Sequence, residues 1–180
     1  MNVAQLPYYK DETVTLTQFE AILRYIAEKN NMGGADSKER AVLSMINGAV
    51  NDLRWAFVRM CYNPDFEKLK PGFMSSLPDS LKIFEEYLKT HSWISGTKLD
   101  YPDFNLYDLL DTLKALEASC LDAFPKLKAY VAKFEASHNN SCFGGISGLY
   151  ALPQIAAYMK SPRFMKWPYN NRMASWGGDH

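Results

Sequence analysis

Cysteine is scarce in this chain of 180 residues: the three that occur, Cys61, Cys120 and Cys142, are odd in number and lack CxxC spacing. That pattern argues against a disulfide framework or a zinc knuckle and makes a reducing cytoplasm the expected compartment. Histidine is equally sparse, and His91, His138 and His180 lie far apart in unlike contexts, so no metal site is expected. No stretch approaches the roughly 20 apolar residues that span a bilayer, and the opening MNVAQLPYYKDE has no cationic segment leading into an apolar one. An excess of charge is missing too. Twenty Lys and Arg balance twenty Asp and Glu, so nothing pulls the chain toward nucleic acid or anionic lipid at long range. There is no GxSxG elbow, and no Gly-Gly pair is followed by Lys-Ser or Lys-Thr, which removes the serine-hydrolase and nucleotide-phosphate readings. What is present is ordinary globular material, 47% hydrophobic and 22% charged, enough for one good core or two small domains.

Local patterns divide the chain. Leu6 to Tyr9 and Thr13 to Leu16 read as short strands around a Lys10-Asp11-Glu12 turn. Thr17 and Glu20 have capping-box spacing ahead of a helix to about Lys29, and Asn30 to Ala35 is a linker. Asp36 and Glu39 then open a long helix over Ser37 to Tyr62, with Val42, Met45, Ile46, Ala49, Leu53, Ala56 and Met60 at helical steps. Val50, Trp55 and Phe57 widen its apolar surface, so this helix is expected to contact two surfaces. Further helices are expected within Phe73 to Leu88, with Pro78 near its first turn or at a kink, then from Pro102 behind Asp100 and Asp103, from Pro125, and over Pro153 to Met159. Ser137 to Gly148 breaks the pattern as a loop, and the tail from Ser161 is expected to lie irregularly over the bundle.

Few side chains stand out chemically. Asp52 shares a side of the long apolar helix with Met45, where a charge is costly unless a ligand, another subunit, Arg59 or solvent meets it. Tyr62, at the end of that helix, could offer a phenol to a cleft or simply pack. Asp103 reads as a helix cap, and Cys61 and Cys120 as packing residues. The tail aromatics Phe164, Trp167, Tyr169 and Trp176, interleaved with Lys166 and Arg172, are expected to pack on the bundle rather than stack on bases.

Taken in order, LPYY (Leu6 to Tyr9), LTQ with AILRYIA (Leu16 to Ala27), DLR (Asp52 to Arg54), CYNPDFEKLKP (Cys61 to Pro71), DFNLYDLLD (Asp103 to Asp111) and CLDAFPKLK (Cys120 to Lys128) resemble mu-class glutathione transferases. The ending KWPYNNRMASWGGDH is similar to flatworm-type members. The resemblance implies a mostly α fold: a β-β-α part of a thioredoxin-like domain over residues 1–33, then an all-helical domain over 36–180 carrying an inserted loop at 137–151. It also implies a cytoplasmic homodimer that uses glutathione as co-substrate, needs no other cofactor, and conjugates its thiol to hydrophobic electrophiles. By motif, Leu6 offers its backbone to the cysteinyl part of glutathione beside a cis-Pro7, with Gln5 close by. Gln18 and Phe19 stand at the γ-glutamyl site, Asp52 reaches its ammonium across the dimer, and Tyr62 overhangs the electrophile.

Three departures accompany the resemblance. The family's opening strand, helix and strand are not in this sequence, nor is the tyrosine that stabilises the thiolate, so no catalytic residue is assigned and a shortened form is expected. Phe19 stands where serine is usual, and Gln5 where asparagine is. Removing Ser137 through Ala151 would join Ala136 to Leu152 and restore the family-like FEALPQI. A non-catalytic dimerisation or hydrophobic ligand-binding module is the competing expectation.

Overall fold

A computed structural model describes residues 6–135, 157, 158 and 160–178. The expected loop at 137–151, most of the expected helix from Pro153, and Gln5, His138, Cys142 and His180 lie outside the described residues. The described chain runs β1 (Tyr8–Lys10), β2 (Thr15–Thr17), α1 (Phe19–Lys29), α2 (Ser37–Cys61), α3 (Phe66–Tyr87), α4 (Tyr101–Leu116) and α5 (Pro125–Glu135).

The hairpin is antiparallel, with Tyr8 opposite Thr17 and Lys10 opposite Thr15, one to two residues beyond the positions expected from composition. Asp11 causes the shift. Its Oδ1 accepts from the backbone N–H groups of Thr13 and Val14 at 2.8 and 2.9 Å, which bends Thr13 and Val14 into the turn. Its Oδ2 accepts from Tyr9 and Tyr25 hydroxyls and from Lys29 Nζ at 3.1, 2.9 and 2.7 Å, tying turn, strand and α1 to one carboxylate. The Lys29 ammonium and those backbone donors hold the Asp11 carboxyl well below the usual carboxylate range.

The helices begin where local chemistry favours it, with two exceptions. Asp36 accepts from the Glu39 N–H at 2.8 Å, and Glu39 reaches back to Ala35 N–H at 2.8 Å. Pro125 opens α5, whose next amides, Lys126 and Leu127, donate to the buried Glu85 carboxylate on α3 at 3.0 and 2.9 Å. The Thr17 capping box does not form: Thr17 is spent in β2, the helix starts one residue after Gln18, and Glu20 instead accepts from Asn51. The second exception is α3, which starts at Phe66, well before Phe73, and carries Pro71 and Pro78 in its interior. Both prolines sit on its exposed side, where the carbonyl each leaves unpaired can be met by water.

The main core lies among α2 to α5, with Val50, Leu81, Leu106, Leu109, Leu110, Leu113 and Leu127 fully buried. Phe134, buried within it, stacks on Tyr107 at 4.6 Å and meets Trp93 edge-on at 5.3 Å. A smaller cluster of Ala27, Leu43 and Tyr101, with Leu23 and Met32, seats α1 on the bundle. The stripe expected for α2 is rotated: Leu43, Ile46, Val50, Leu53, Phe57 and Met60 are buried together with Asn47 and Asn51, whereas Val42, Met45 and Ala49 face outward. The tail lies irregularly over the C-terminal end of α2, as expected. Ser175 and Trp176 N–H groups donate to the Cys61 carbonyl at 2.7 and 3.3 Å, and the Trp176 ring packs on Phe57 at 5.6 Å.

At the head of α4, Asp103 is fully buried and acts structurally, as its sequence context indicates. Its carboxylate accepts from Ile94 N–H at 2.8 Å, Asp100 N–H at 3.1 Å and Tyr130 hydroxyl at 3.0 Å, joining a loop, α4 and α5. Asp100 is less well served: its side chain is 2% exposed, Oδ1 has no partner, and the nearest cation, Lys98 Nζ, is 3.8 Å from Oδ2. Burial, reinforced by the charges of Asp103 and Glu39 and opposed by Lys98, pushes Asp100 up to about 6. A value raised above that of the unfolded chain, near 3.8, means the protonated form favours folding. The contribution is full below that unfolded value and is lost as pH rises through about 6. Asp100→Asn therefore raises the melting temperature at pH 7.5 by roughly 5 °C, and calorimetry at about pH 4, close to the unfolded value, finds most of the gain gone. A second expectation concerns the hairpin: Asp11→Ala removes hydrogen-exchange protection from Thr15, Thr17 and the start of α1 while α4 stays protected, which exchange mass spectrometry reads directly.

Candidate functional site

Three helices meet at one buried polar knot. Asn105 of α4 donates through Nδ2 to the side-chain oxygens of Asn47 and Asn51 on α2, both at 2.8 Å. Its own side-chain and main-chain oxygens accept from Arg54 Nε at 2.9 Å and Nη2 at 2.7 Å. Arg54 turns its remaining nitrogen to Asp108 Oδ2 at 2.8 Å, and Asn51 extends the chain of bonds to Glu20 on α1. All three asparagines are buried. The planar fork of Arg54 is thus held on two edges and cannot rotate freely.

Above this knot opens an apolar groove of about 380 Å³, lined by Phe19 and Leu23 of α1, Arg54, Trp55 and Val58 of α2, and Phe104, Asn105 and Asp108 of α4. Phe19 meets Trp55 edge-on, with ring centroids 6.3 Å apart at 65°. Trp55 remains 47% exposed despite its size. One turn beyond Val58, Tyr62 ends α2 and its hydroxyl accepts from Asn171 N–H at 3.4 Å, so the tail crosses beside it.

Asp52 faces another way. It is exposed and lines a cleft between α2 and α3 with Ala49, Ala56, Ser76, Ser80 and Ile83, on nearly the opposite side of α2 from Arg54 and Val58. The charge therefore meets solvent, one of the alternatives left open by its place on the helix. Ile83 and Met45 on the same side are 65% and 69% exposed, and Val42 is also exposed. At the other end of the molecule the Leu6–Pro7 bond is cis, as the resemblance implies, and Leu6 is 84% exposed. Gln18 takes the residue before α1 with φ of 71°, exposed beside Phe19.

The expected site residues therefore fall into separate groups. Gln18 and Phe19 are adjacent at the head of α1, but the Phe19 ring turns into the groove with Trp55. Asp52 shares a face with neither, and Tyr62 is engaged by the tail. The described thiols are inert: burial pushes Cys61 up to about 12 and Cys120 up to about 11. His91 stacks on Tyr87 at 3.9 Å, and among the described residues no three His, Cys, Asp or Glu side chains gather as a metal cage. Sequence reasoning missed the groove wall from α4. Phe104 follows the cap residue Asp103 and read only as part of a helix, and the i, i+4 pair Phe104–Asp108 was the available signal.

Comparison with known proteins adds a separate line of observation. Residues 51–139 match the family model described as the glutathione S-transferase C-terminal domain. The chain is 43% identical over 177 residues to glutathione S-transferase Mu 1 of Bos taurus, covering 98% of this chain and 74% of that protein. It is 44% identical over 176 residues to the class-mu 26 kDa glutathione S-transferase isozyme of Schistosoma japonicum, covering 97% of this chain and 74% of that protein. Among solved structures, the pi-class glutathione S-transferase of Onchocerca volvulus superposes with a TM-score of 0.66 at 35% identity, over 72% of this chain and 64% of that one. The glutathione S-transferase Blo t 8 shares the fold with a TM-score of 0.76 at 24% identity, over 96% of this chain and 76% of that one.

The knot can be tested by itself. Asn105→Leu strands the oxygens of Asn47 and Asn51 and the Nε of Arg54 in a buried site, and costs roughly 3 kcal/mol. The expected result in a urea melt is a lower midpoint with an unchanged slope.

Proposed function

This chain belongs to the mu-class glutathione transferases, and from that membership we propose that it binds glutathione between the Leu6–Pro7 turn and the head of α1, with a hydrophobic electrophile beside Trp55 and Tyr62. The carrying observation is the pairing of an exposed Leu6 backbone at a cis-proline with Gln18 at a helix N-terminus. An exposed strand edge can capture a peptide through main-chain hydrogen bonds, and helix N-terminal amides favour the γ-glutamyl carboxylate. Gln5 would border the same turn. In this reading residues 1–33 form the thioredoxin-like unit and residues 36–180 the helical one.

Asp52 enters from a second copy. Its exposed cleft, flanked by Met45 and Ile83, is an unpartnered apolar side that a homodimer would cover, carrying the carboxylate toward the partner's glutathione ammonium. No helix among the described residues is long and apolar enough to cross a membrane, and free thiols at Cys61 and Cys120 suit a cytoplasmic setting. Glutathione is the co-substrate, and no further cofactor is invoked.

One observation favours the binding-module alternative for the chain as it stands. Tyr9 and Tyr25, two of the three phenols of the N-terminal unit, both donate to Asp11, and burial together with that contact raises Tyr9 above its ordinary value, while Tyr8 is exposed. Neither Tyr9 nor Tyr25 is offered to a thiol.

Immobilised glutathione is expected to retain the protein, and Asp52→Asn to weaken retention about tenfold while sedimentation still finds a dimer. Conjugation to 1-chloro-2,4-dinitrobenzene separates the two roles. An active transferase reaches its plateau rate near neutral pH, whereas a binding module shows a rate that merely follows free thiolate upward through about pH 8.5.

A further inference from the structure

We propose that the cleft between the head of α2 and the loop leading into α4 is a binding site for a small primary ammonium compound, with the Asp100 carboxylate as its anchor. This cleft, of about 310 Å³, is lined on the α2 side by Asp36, Glu39 and Val42 and on the loop side by Thr97, Lys98 and Asp100. Glu39 lies about four helical turns along α2 from Trp55. The inference therefore stands apart from the glutathione and electrophile sites proposed above and does not rest on them.

The cleft holds more negative charge than it neutralises, since the carboxylates of Asp36, Glu39 and Asp100 are set against only Lys38 and Lys98. Two of those carboxylates are engaged in opening α2: Asp36 accepts from Glu39 N–H and Glu39 from Ala35 N–H, both at 2.8 Å. Asp100 is different. Its side chain is 2% exposed and Oδ1 has no partner. Lys98 Nζ stands 3.8 Å from Asp100 Oδ2 and 3.7 Å from Glu39 Oε2, beyond hydrogen-bond reach of either. The lysine thus offsets charge without donating a hydrogen bond. A buried carboxylate oxygen without a donor is costly, so a ligand that brings N–H groups to it gains what the folded chain leaves unmet.

The groups present select an amine over a metal ion. Among the described residues no three His, Cys, Asp or Glu side chains gather closely enough to hold a metal, so the carboxylates act singly. A primary ammonium carries three N–H donors and can serve the Asp100 carboxylate while meeting a hydroxyl, and Ser95 and Thr97 belong to the same wall. Val42 and Leu43 give the α2 wall an apolar surface for a short alkyl chain, and the volume, at the low end of small-molecule sites, suits an amine of a few carbons. Lys98 is the resident competitor: its side chain is 51% exposed, the entering ammonium displaces it, and a turn about the Asp100 Cβ–Cγ bond presents either oxygen. The charged groups facing Asp100 are Lys98 of its own loop, Asp103 of α4 and Glu39 of α2. Burial pushes its carboxyl up to about 6, so at pH 7.5 the anion predominates and is ready to pair.

Isothermal titration calorimetry of the purified full chain with butylammonium chloride at pH 7.5 tests this. Tetramethylammonium supplies charge without N–H groups, butan-1-ol the alkyl chain without charge, and Mg²⁺ a metal. Butylammonium is expected to bind about tenfold more tightly than any of these controls. Asp100→Asn keeps the shape and removes the charge, and should weaken butylammonium binding about tenfold. Its melting temperature, expected above that of the parent chain, shows that the loss does not come from unfolding. Lys98→Met removes the resident competitor from an exposed position and should tighten binding about threefold, which keeps the test intact if Asp100→Asn misfolds. The inference is overturned if the parent chain does not bind butylammonium, if tetramethylammonium or butanol binds equally well, or if Asp100→Asn binds as the parent does. Mg²⁺ that binds through Asp100 and excludes butylammonium also overturns it, because the site then belongs to a metal. A Lys98→Met chain that binds no more tightly than the parent overturns it as well, since the ammonium then does not take the place of Lys98 at Asp100.

Discussion

The fold hangs on a single side-chain amide. Asn105 satisfies two asparagines of α2 and receives an arginine in the same stroke, so α1, α2 and α4 share one chain of hydrogen bonds from Glu20 to Asp108, buried at its centre. Apolar contacts hold the helices together but leave them free to slide by a fraction of a turn, since many hydrophobic arrangements have similar energy. A buried amide with a limited number of donors and acceptors has far fewer satisfactory positions, and every misalignment strands a polar atom. The groove inherits that constraint: its floor is the knot, and its walls are the residues next to the knot along each helix.

The long helix α2 serves two surfaces, and its sequence shows why it can. On one side Arg54, Trp55 and Val58 face the groove; on nearly the opposite side Ala49, Asp52 and Ala56 face α3 and open surface. Small residues beside Asp52 leave room for another chain to approach, whereas the large residues by the groove shape a cavity. The two faces of α2 are therefore sterically separate from each other. Asp52 and Phe19, expected at one ligand, do not meet within this chain.

Much of the architecture was legible because its determinants are local. Asp36 with Glu39, Asp100 with Asp103, and Pro125 each announce a helix start within four residues, and each does begin a helix. The start of α3 was not legible, since Pro71 and Pro78 argue locally against helix while their tolerance depends on which side meets water. Asn47, Asn51 and Asn105 read as ordinary polar residues because their partners lie more than fifty positions away. The helical stripe on α2 was misjudged for the same reason: two buried asparagines replace apolar residues, and the face rotates accordingly. Of the candidate site, the cis-Pro7 turn, Gln18 and Asp52 followed from motif resemblance. The direction of the Phe19 ring did not, because it is set by Trp55, which lies in a different element.

The strap over the end of α2 bears on how the polypeptide is assembled. Ser175 Oγ donates to the Asn63 carbonyl across 112 positions, and neighbouring amides close the last carbonyls of the helix. A ribosome emits α2 long before it emits that strap, so the nascent helix must wait with its terminal carbonyls hydrated while α3, α4 and α5 collapse around it. Closing so long a loop is entropically slow but only weakly dependent on its exact length. Additional residues between α5 and the strap would therefore delay the final fastening only slightly, which lets that stretch vary in length without endangering the bundle.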